Sequence, residues 1–176
     1  MKVNRLFVSV AVSAALFSAG SMAKDGTVKF TGDIVDTPCV VSSQSQNQTV
    51  NLGQVKQSVL NGAAGQRSAG TQFQIVLEEC VLDPTTPEKA YITFSGISSQ
   101  ANVLDVALQA GGATGVGIEL TDANGKVIPI NTQHTNASDL VDGQNILNFK
   151  AAYISTAAAV TAGHADGTAD FQFEYK

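Results

Sequence analysis

The last eight residues of the chain, ADFQFEYK at positions 169–176, alternate apolar and polar side chains up to the final residue. Ala169, Phe171, Phe173 and Tyr175 fall on one face of an extended segment, and the residues between them fall on the other. Strict alternation of this kind predicts a half-buried β-strand. Chain ends usually fray unless something holds them, so a strand in this position needs an explanation from the rest of the sequence.

The beginning of the chain predicts export. Two basic residues precede an apolar run at 6–17, and the small residues that end at Ala23 fit a signal-peptidase site. The run is too short to cross a bilayer, which takes roughly 20 residues. We therefore expect residues 1–23 to be a signal peptide and the mature chain to form one domain of ordinary size.

The composition of the mature chain disfavours a nucleic-acid partner. Removal of Lys2 and Arg5 with the signal peptide lowers the formal net charge from −5 to −7, whereas nucleic-acid binding requires clustered positive charge. Charged residues make up only 14% of the chain. A surface built mainly from small and uncharged polar side chains suits assembly better than electrostatic steering.

Both cysteines, Cys39 and Cys80, lie in the mature part, 41 positions apart. An even pair in an exported chain predicts one disulfide. Two free, buried thiols are the alternative that the sequence leaves open.

Short alternating runs recur along the mature chain, whereas helical periodicity is nearly absent. About nine runs in roughly 150 residues indicate an antiparallel β-sandwich. The predicted strands are TVKFTGDIV (27–35), TVNLG (49–53), FQIVLEEC (73–80), AYITF (90–94), VLDVAL (103–108), VGIEL (116–120), KVIPI (126–130), ILNFKAAYI (146–154) and the terminal run.

The residues between these runs favour turns and loops. Asn124–Gly125 separates two strand candidates and is the strongest short signal for a β-hairpin. Pro129 predicts an edge strand or a bulge, because proline has no N–H to donate. The stretches at 83–88 and 110–115 predict loops. The segment from Ala151 favours helix by its alanine content, but we interpret it as a strand followed by a loop, because threonines interrupt any helical stripe.

Residues that carry catalysis or bind metals form no recognisable motif. The two histidines, His134 and His164, have no His or Cys at ligand spacing, and we interpret them as solvated loop residues. The glycine-rich run at 111–117 lacks the GxGxxG order and the Lys-Ser/Thr ending of a phosphate-binding loop. No serine lies in a GxSxG elbow. We therefore predict no enzyme activity, no cofactor and no metal site.

Five short motifs follow one another behind the predicted signal peptide. They are a GTVxFxG segment at Gly26–Gly32, a first cysteine soon after it, a TVxLGQV segment at Thr49–Val55, a second cysteine about forty positions after the first, and an ending with Gly163 fourteenth from the end and Tyr175 penultimate. In this order, over essentially the whole mature chain, they resemble the type 1 fimbrial pilins assembled by the chaperone-usher route.

The resemblance implies an all-β fold, an incomplete immunoglobulin-like antiparallel sandwich that lacks its last strand. A hydrophobic groove then lies open beside the C-terminal strand, and a periplasmic chaperone lends a strand to fill it. In the fibre the N-terminal extension of the next pilin subunit replaces the chaperone, a form of β-augmentation. The residues implied to line the groove and contact the chaperone are Gly163, Ala169, Phe171, Phe173 and Tyr175.

The resemblance also implies a division of the mature chain. Residues 24–35 are the N-terminal donor-strand extension, and residues 36–176 are the pilin sandwich domain. Within the extension, Gly26, Val28 and Phe30 are the implied donor strand, whose alternate side chains enter pockets of the neighbouring subunit.

The exact limits of the extension stay open at this point. Cleavage after Ala23 leaves a shorter extension than family members commonly have, so an earlier cut, for instance after Gly20, is the alternative. Gly32 and Ile34 belong either to the extension or to the first strand of the domain.

The predicted function is a structural subunit of a surface fimbria. The subunit is exported through the periplasm, delivered by a chaperone and an outer-membrane usher, polymerised by donor-strand complementation, and supports adhesion. A minor adaptor subunit is one alternative, because it shares every motif. A glycan-binding tip adhesin is another, although adhesins generally need a second, lectin domain and lack a donor extension. An exported hydrolase rests on nothing beyond scattered Ser, Asp and His.

Overall fold

The computed structural model describes residues 26–83, 89–106 and 110–176, which fall into two units divided between Ile34 and Val35. The predicted signal peptide lies outside the described residues. Residues 26–34, which we call the arm, are exposed and form no helix or strand. The strand predicted at 27–35 is therefore wrong for the single chain, since a strand needs a partner for its backbone hydrogen bonds.

The larger unit begins at Val35 and contains all the helices and strands of the described residues. Its elements in chain order are β1 (Val40–Val41), α1 (Ser43–Gln46), α2 (Gln57–Leu60), β2 (Thr71–Cys80), β3 (Lys89–Gly96), β4 (Leu104–Asp105), β5 (Val116–Asp122), β6 (Val127–Ile128), β7 (Ser138–Asp139), β8 (Gly143–Ser155) and β9 (Ala169–Tyr175).

The strands form two antiparallel sheets. One sheet has the order β1-β2-β8-β5-β4, with β6 also paired to β5, and the other has the order β7-β3-β9. Neighbours in space are mostly not neighbours in sequence, as expected of a sandwich with crossover connections. The all-β antiparallel fold predicted from the sequence is confirmed.

Several local predictions are also confirmed. Asn124–Gly125 lies in a tight turn between β5 and β6, in which the Gly125 N–H donates to the Asp122 carbonyl at 3.0 Å. Pro129 directly follows β6, which pairs with no described strand other than β5. The alanine-rich segment is the end of β8 followed by irregular chain, and residues 110–115 are irregular as well.

Other local predictions are wrong. Residues 49–53 form no strand, because the Asn51 side chain accepts a hydrogen bond from the Gly53 N–H at 2.8 Å and Gly53 has a φ of 68°, which together make a turn. The run at 103–108 forms a strand only at β4, and residues 107 and 108 lie outside the described part. Residues 84–88, which belong to the loop predicted at 83–88, also lie outside it. Short elements without a clear period were missed, namely α1, α2, β1 and β7.

Apolar side chains from both sheets fill the space between them. Ile75 on β2 pairs with Leu147 on β8, and both are buried. From the opposite sheet, the ring of Phe94 on β3 meets the ring of Phe149 on β8 edge-on, with centroids 5.6 Å apart. Full burial of each such side chain contributes roughly 1.5–3 kcal/mol, so this interdigitated core is the main source of stability.

Cys39 and Cys80 form the predicted disulfide, and both are buried. The bond ties the chain just before β1 to the end of β2. Beside it, the Asn145 amide donates to the Cys80 sulfur at 3.2 Å and to the Val141 carbonyl at 2.7 Å. The alternative of two free thiols is therefore excluded.

A second polar junction is centred on the carboxylate of Asp122 at the end of β5. Its Oδ1 accepts from the backbone N–H groups of Asn124 and Lys126, and its Oδ2 accepts from the Asn136 amide at 2.7 Å and contacts His134 Nε2 at 3.1 Å. His134 is only 2% exposed, so the prediction of a solvated histidine is wrong at this position. The junction joins the β5–β6 turn to the segment at 131–137.

The hydrogen bonds of this junction also set the charge state of Asp122. Desolvation by burial raises its pKa, but the bonds from Asn136, Lys126, His134 and Asn124 outweigh that effect and hold the pKa at about 2, against 3.8 for a free side chain. Asp122 is therefore ionised at neutral pH. Since an ionised carboxylate accepts hydrogen bonds only, His134 donates through Nε2.

We expect Cys80→Ser to give a poorly folded, protease-sensitive chain. Closing a loop of 41 positions stabilises a domain by about 4 kcal/mol in the chain-entropy model, which is a large share of a typical net stability of about 5–15 kcal/mol. Limited proteolysis of periplasmic extracts measures the effect. The Cys39→Ser, Cys80→Ser double variant controls for the unpaired thiol, and wild-type resistance of both variants would contradict the prediction.

We expect Asp122 to stabilise the domain above about pH 4 and to lose that effect as the pH falls toward about 2. The folded pKa is depressed, so the unfolded chain binds the proton first on acidification, and the contribution at neutral pH is about 2 kcal/mol. Denaturant unfolding of the mature protein and of Asp122→Asn across this range measures it. The difference in free energy of unfolding between the two proteins should disappear at the acid end of this range. A difference that stays constant with pH would contradict the prediction.

Candidate assembly face and arm

β9 is an edge strand of its sheet. It pairs with β3 along its whole length, from Ala169 opposite Gly96 to Tyr175 opposite Ala90. No other described strand pairs with β9, so the backbone N–H and C=O groups that point away from β3 have no partner strand. An edge of this kind is a template on which a further strand can be added.

The inner face of β9 is less covered than that of the strand beside it. On β3, Ile92 and Phe94 are 4% and 3% exposed. Their cross-strand partners on β9, Phe173 and Phe171, point to the same side of the sheet but are only half-buried. Since paired residues share a face of the sheet, their difference in exposure means that less of the domain packs over β9 than over β3. We call the half-buried inner residues of this strand, Ala169, Phe171, Phe173 and Tyr175, the open face of β9.

Aromatic rings continue the open face of β9 into the core. Phe171 and Phe173 have centroids 5.9 Å apart, and Phe173 and Tyr175 have centroids 6.3 Å apart. Phe171 also lies 6.2 Å from Phe94, which in turn lies 6.3 Å from Phe73 on β2. A tyrosine hydroxyl is neutral at neutral pH, and burial raises the pKa of Tyr175 further, so the whole strip is uncharged.

The outer face of β9 has the opposite chemistry. Asp170, Gln172 and Glu174 are exposed. The Glu174 carboxylate accepts hydrogen bonds from Lys176, with Nζ at 2.8 Å, and from the side chain of Gln133, and these bonds lower its pKa. Only the inner side of the strand therefore offers apolar surface to a further chain.

The arm carries the complementary pattern. Val28 is 75% exposed and Phe30 is 89% exposed, and Lys29 and Thr31 alternate with them. Nothing lies within 4 Å of the position that a Cβ would take at Gly26 or Gly32. Ile34 at the end of the arm is fully exposed as well. Three large apolar side chains exposed in one short segment are typical of an interaction surface.

The predicted site residues are therefore distributed over three places. Four of them form the open face of β9, and three lie in the arm. Gly163 lies before β9, where its backbone approaches Gly111 and Gly112 so closely that a Cβ would come within 2.4 Å of both. Sequence analysis placed Phe94 and Phe73 in strands but did not connect them to this face. No local sequence pattern indicates which residues of β3 lie opposite which residues of β9.

Metal ions in proteins are bound by sets of His, Cys, Asp and Glu ligands. No three His, Cys, Asp or Glu side chains within residues 26–83, 89–106 and 110–176 come together as metal ligands. A helix long and apolar enough to cross a membrane is not found in the same ranges.

Comparison with known sequences identifies a family. The model of the family described as "Fimbrial protein" matches residues 28–176. The chain is 44% identical over 166 residues to the probable major fimbrial subunit LpfA of Escherichia coli O157:H7, covering 93% of this chain and 90% of that protein. It is 42% identical over 167 residues to long polar fimbria protein A of Salmonella typhimurium, with coverage of 94% and 90%.

Comparison with solved structures agrees. The chain resembles the P pilus rod subunit PapA with a TM-score of 0.66 and 28% identity, covering 80% of this chain and all of that one. It resembles a chain in the structure of a chaperone-usher pilus with a TM-score of 0.71 and 28% identity, covering 87% of this chain and 96% of that one. The chain thus has their immunoglobulin-like fold, belongs to the fimbrial protein family, and is a structural subunit of a surface fimbria.

Proposed function

We propose that the open face of β9 accepts the arm of a second pilin subunit, and that repetition of this contact builds the fimbria. The observation that carries the proposal is the contrast between β3 and β9, whose paired inner residues are buried on one strand and half-buried on the other. A strand laid along β9 would cover these residues. On this proposal the chain has no catalytic role.

Backbone pairing and side-chain burial would act together in such a contact. An added strand supplies partners to the outward N–H and C=O groups of β9, and each hydrogen bond made away from water contributes about 1 kcal/mol. Burial of Val28 and Phe30 against apolar surface contributes roughly 1.5–3 kcal/mol each before entropic costs. Main-chain bonds thus give affinity, and the alternate side chains give register.

The two surfaces also predict the form of the assembly. The arm and the open face of β9 are different surfaces of one chain, so a contact between copies is heterologous and leaves one of each surface free at the ends. Such a contact extends into an open filament unless its rotation closes a ring. The proposal takes residues 24–35 as the donor extension and 36–176 as the acceptor domain; the divide between Ile34 and Val35 lies one residue before that boundary and supports a separate extension.

Before assembly the exposed edge of β9 is an aggregation hazard. We propose that a periplasmic chaperone covers it with a strand of its own and that an outer-membrane usher exchanges this strand for the arm of the next subunit. The relation to a subunit of a chaperone-usher pilus supports this route. The relation to a probable major fimbrial subunit favours a shaft subunit over the adaptor and adhesin alternatives.

We expect Phe30→Asp to stop polymerisation while leaving the chaperone-bound subunit intact. The substitution removes the largest apolar side chain of the arm and would place a carboxylate in an apolar pocket, at a cost of several kcal/mol. Electron microscopy of sheared surface fibres and immunoblotting of periplasmic extracts measure the two outcomes.

Thr31→Asp is the matched control, because it adds the same charge on the other face of the arm. Fibres should form with this control. Normal fibres from Phe30→Asp would contradict the role of the arm.

We expect Phe173→Ser to lower the amount of subunit in the periplasm. Loss of the ring removes apolar contact between the open face of β9 and a covering strand, which we estimate at about 1–2 kcal/mol for a half-buried side chain. Unprotected subunits are then degraded. Immunoblotting against Gln172→Ser, the neighbouring position on the exposed face, measures the effect, and equal abundance of the two variants would count against the proposal.

A further inference from the structure

Asn-Gly pairs occur twice in the described residues, at Asn61–Gly62 and Asn124–Gly125. This dipeptide is chemically labile, because glycine leaves its own backbone nitrogen sterically free to attack the side chain before it. The attack joins atoms of one chain, so its rate depends on how readily the two groups reach the reactive geometry. The structure holds the two pairs very differently.

Asn61 and Gly62 are fixed by long-range hydrogen bonds. The side-chain oxygen of Asn61 accepts from the Val160 N–H at 2.7 Å, and the Gly62 N–H donates to the Ala158 carbonyl at 2.9 Å. The electrophile and the nucleophile are thus both held by a distant segment. Reaction at this pair requires that segment to separate first.

Asn124 and Gly125 lie at the tip of the β5–β6 turn and are exposed. The Asn124 carboxamide makes no hydrogen bond to any described residue, while its backbone N–H donates to Asp122 Oδ1 at 2.9 Å. Among the described residues, the Gly125 N–H bonds only to the Asp122 carbonyl within the same turn, and nothing lies within 4 Å of the position that a Cβ would occupy. Opening of one short exposed turn is enough to free both reacting groups.

We propose that Asn124 is a site of spontaneous deamidation in the exported protein. The Gly125 backbone nitrogen loses its proton to the solvent and attacks Cγ of Asn124, forming an N–Cγ bond. The Cγ–Nδ2 bond breaks, and the amide nitrogen leaves as ammonia after taking up a proton, which gives a cyclic succinimide. Water then opens the ring at either carbonyl, giving aspartate or isoaspartate at position 124.

The isoaspartate product changes the junction around Asp122. Its backbone passes through the former side chain and is one carbon longer between positions 124 and 125. In the native turn, Asp122 Oδ1 accepts from the N–H groups of Asn124 and Lys126 at 2.9 and 2.8 Å. The longer backbone no longer presents both groups to one oxygen. Modification therefore loosens the contact between this turn and the segment that carries His134 and Asn136.

Peptide mapping by mass spectrometry tests the site. Mature protein, purified as cells export it, is aged in mildly alkaline buffer, and deamidated and isoaspartyl peptides are quantified at both Asn-Gly pairs. We expect Asn124 to react at least about tenfold faster than Asn61, because its local opening is less costly. Asn124→Gln should abolish the fast reaction. Equal rates at the two pairs, or a faster reaction at Asn61, would overturn the proposal.

A second measurement separates the backbone effect from the added charge. Asn124→Asp carries the new carboxylate on a normal backbone, whereas aged wild-type protein also contains isoaspartate. We expect the Lys126 amide to exchange hydrogen at least about tenfold faster in the isoaspartyl fraction than in Asn124→Asp. Equal exchange in the two samples would refute the loosening of the junction.

Discussion

The inner face of an edge strand needs cover from water, and in this domain the cover over β9 is incomplete. Phe171 and Phe173 pair with buried residues of β3 yet remain half-buried themselves. An apolar strip of this length beside backbone groups that have no partner strand is a template on which a further strand can be added. Under the proposed assembly, a further strand supplies the missing cover, so the same feature that leaves β9 open makes the domain suitable for assembly.

The disulfide lies where it can carry tension that is applied to the N-terminal end of the chain. Under the proposed assembly, each arm is held by a neighbouring subunit, so tension along the fibre enters the domain at Val35. Cys39 follows four residues later and is bonded to Cys80 at the end of β2. β2 pairs along most of its length with β8, the longest strand. Tension thus passes through a covalent bond into the centre of the larger sheet.

Much of the fold could be predicted, because apolar residues recur at every second position along the longer strands. β2, β3, β5, β8 and β9 all alternate, and all five were predicted close to their observed limits. Residues 49–53 alternate as well, but the hydrogen bond between Asn51 and Gly53 favours a turn there. The alternation in the arm failed as a prediction of local structure for a different reason, since the arm pairs with no described strand of its own chain.

The sequence alone determined the fold class, the cysteine pair and the apolar faces of the arm and the last strand, because these depend on alternation and composition, which are local. Tertiary structure decided which of those faces are covered. The register of β3 against β9 shows that Phe171 and Phe173 lack the cover that their partners have. The Asp122 junction buries His134 in a segment that sequence analysis interpreted as a solvated loop. Burial depends on what packs opposite a residue, and no local pattern specifies that.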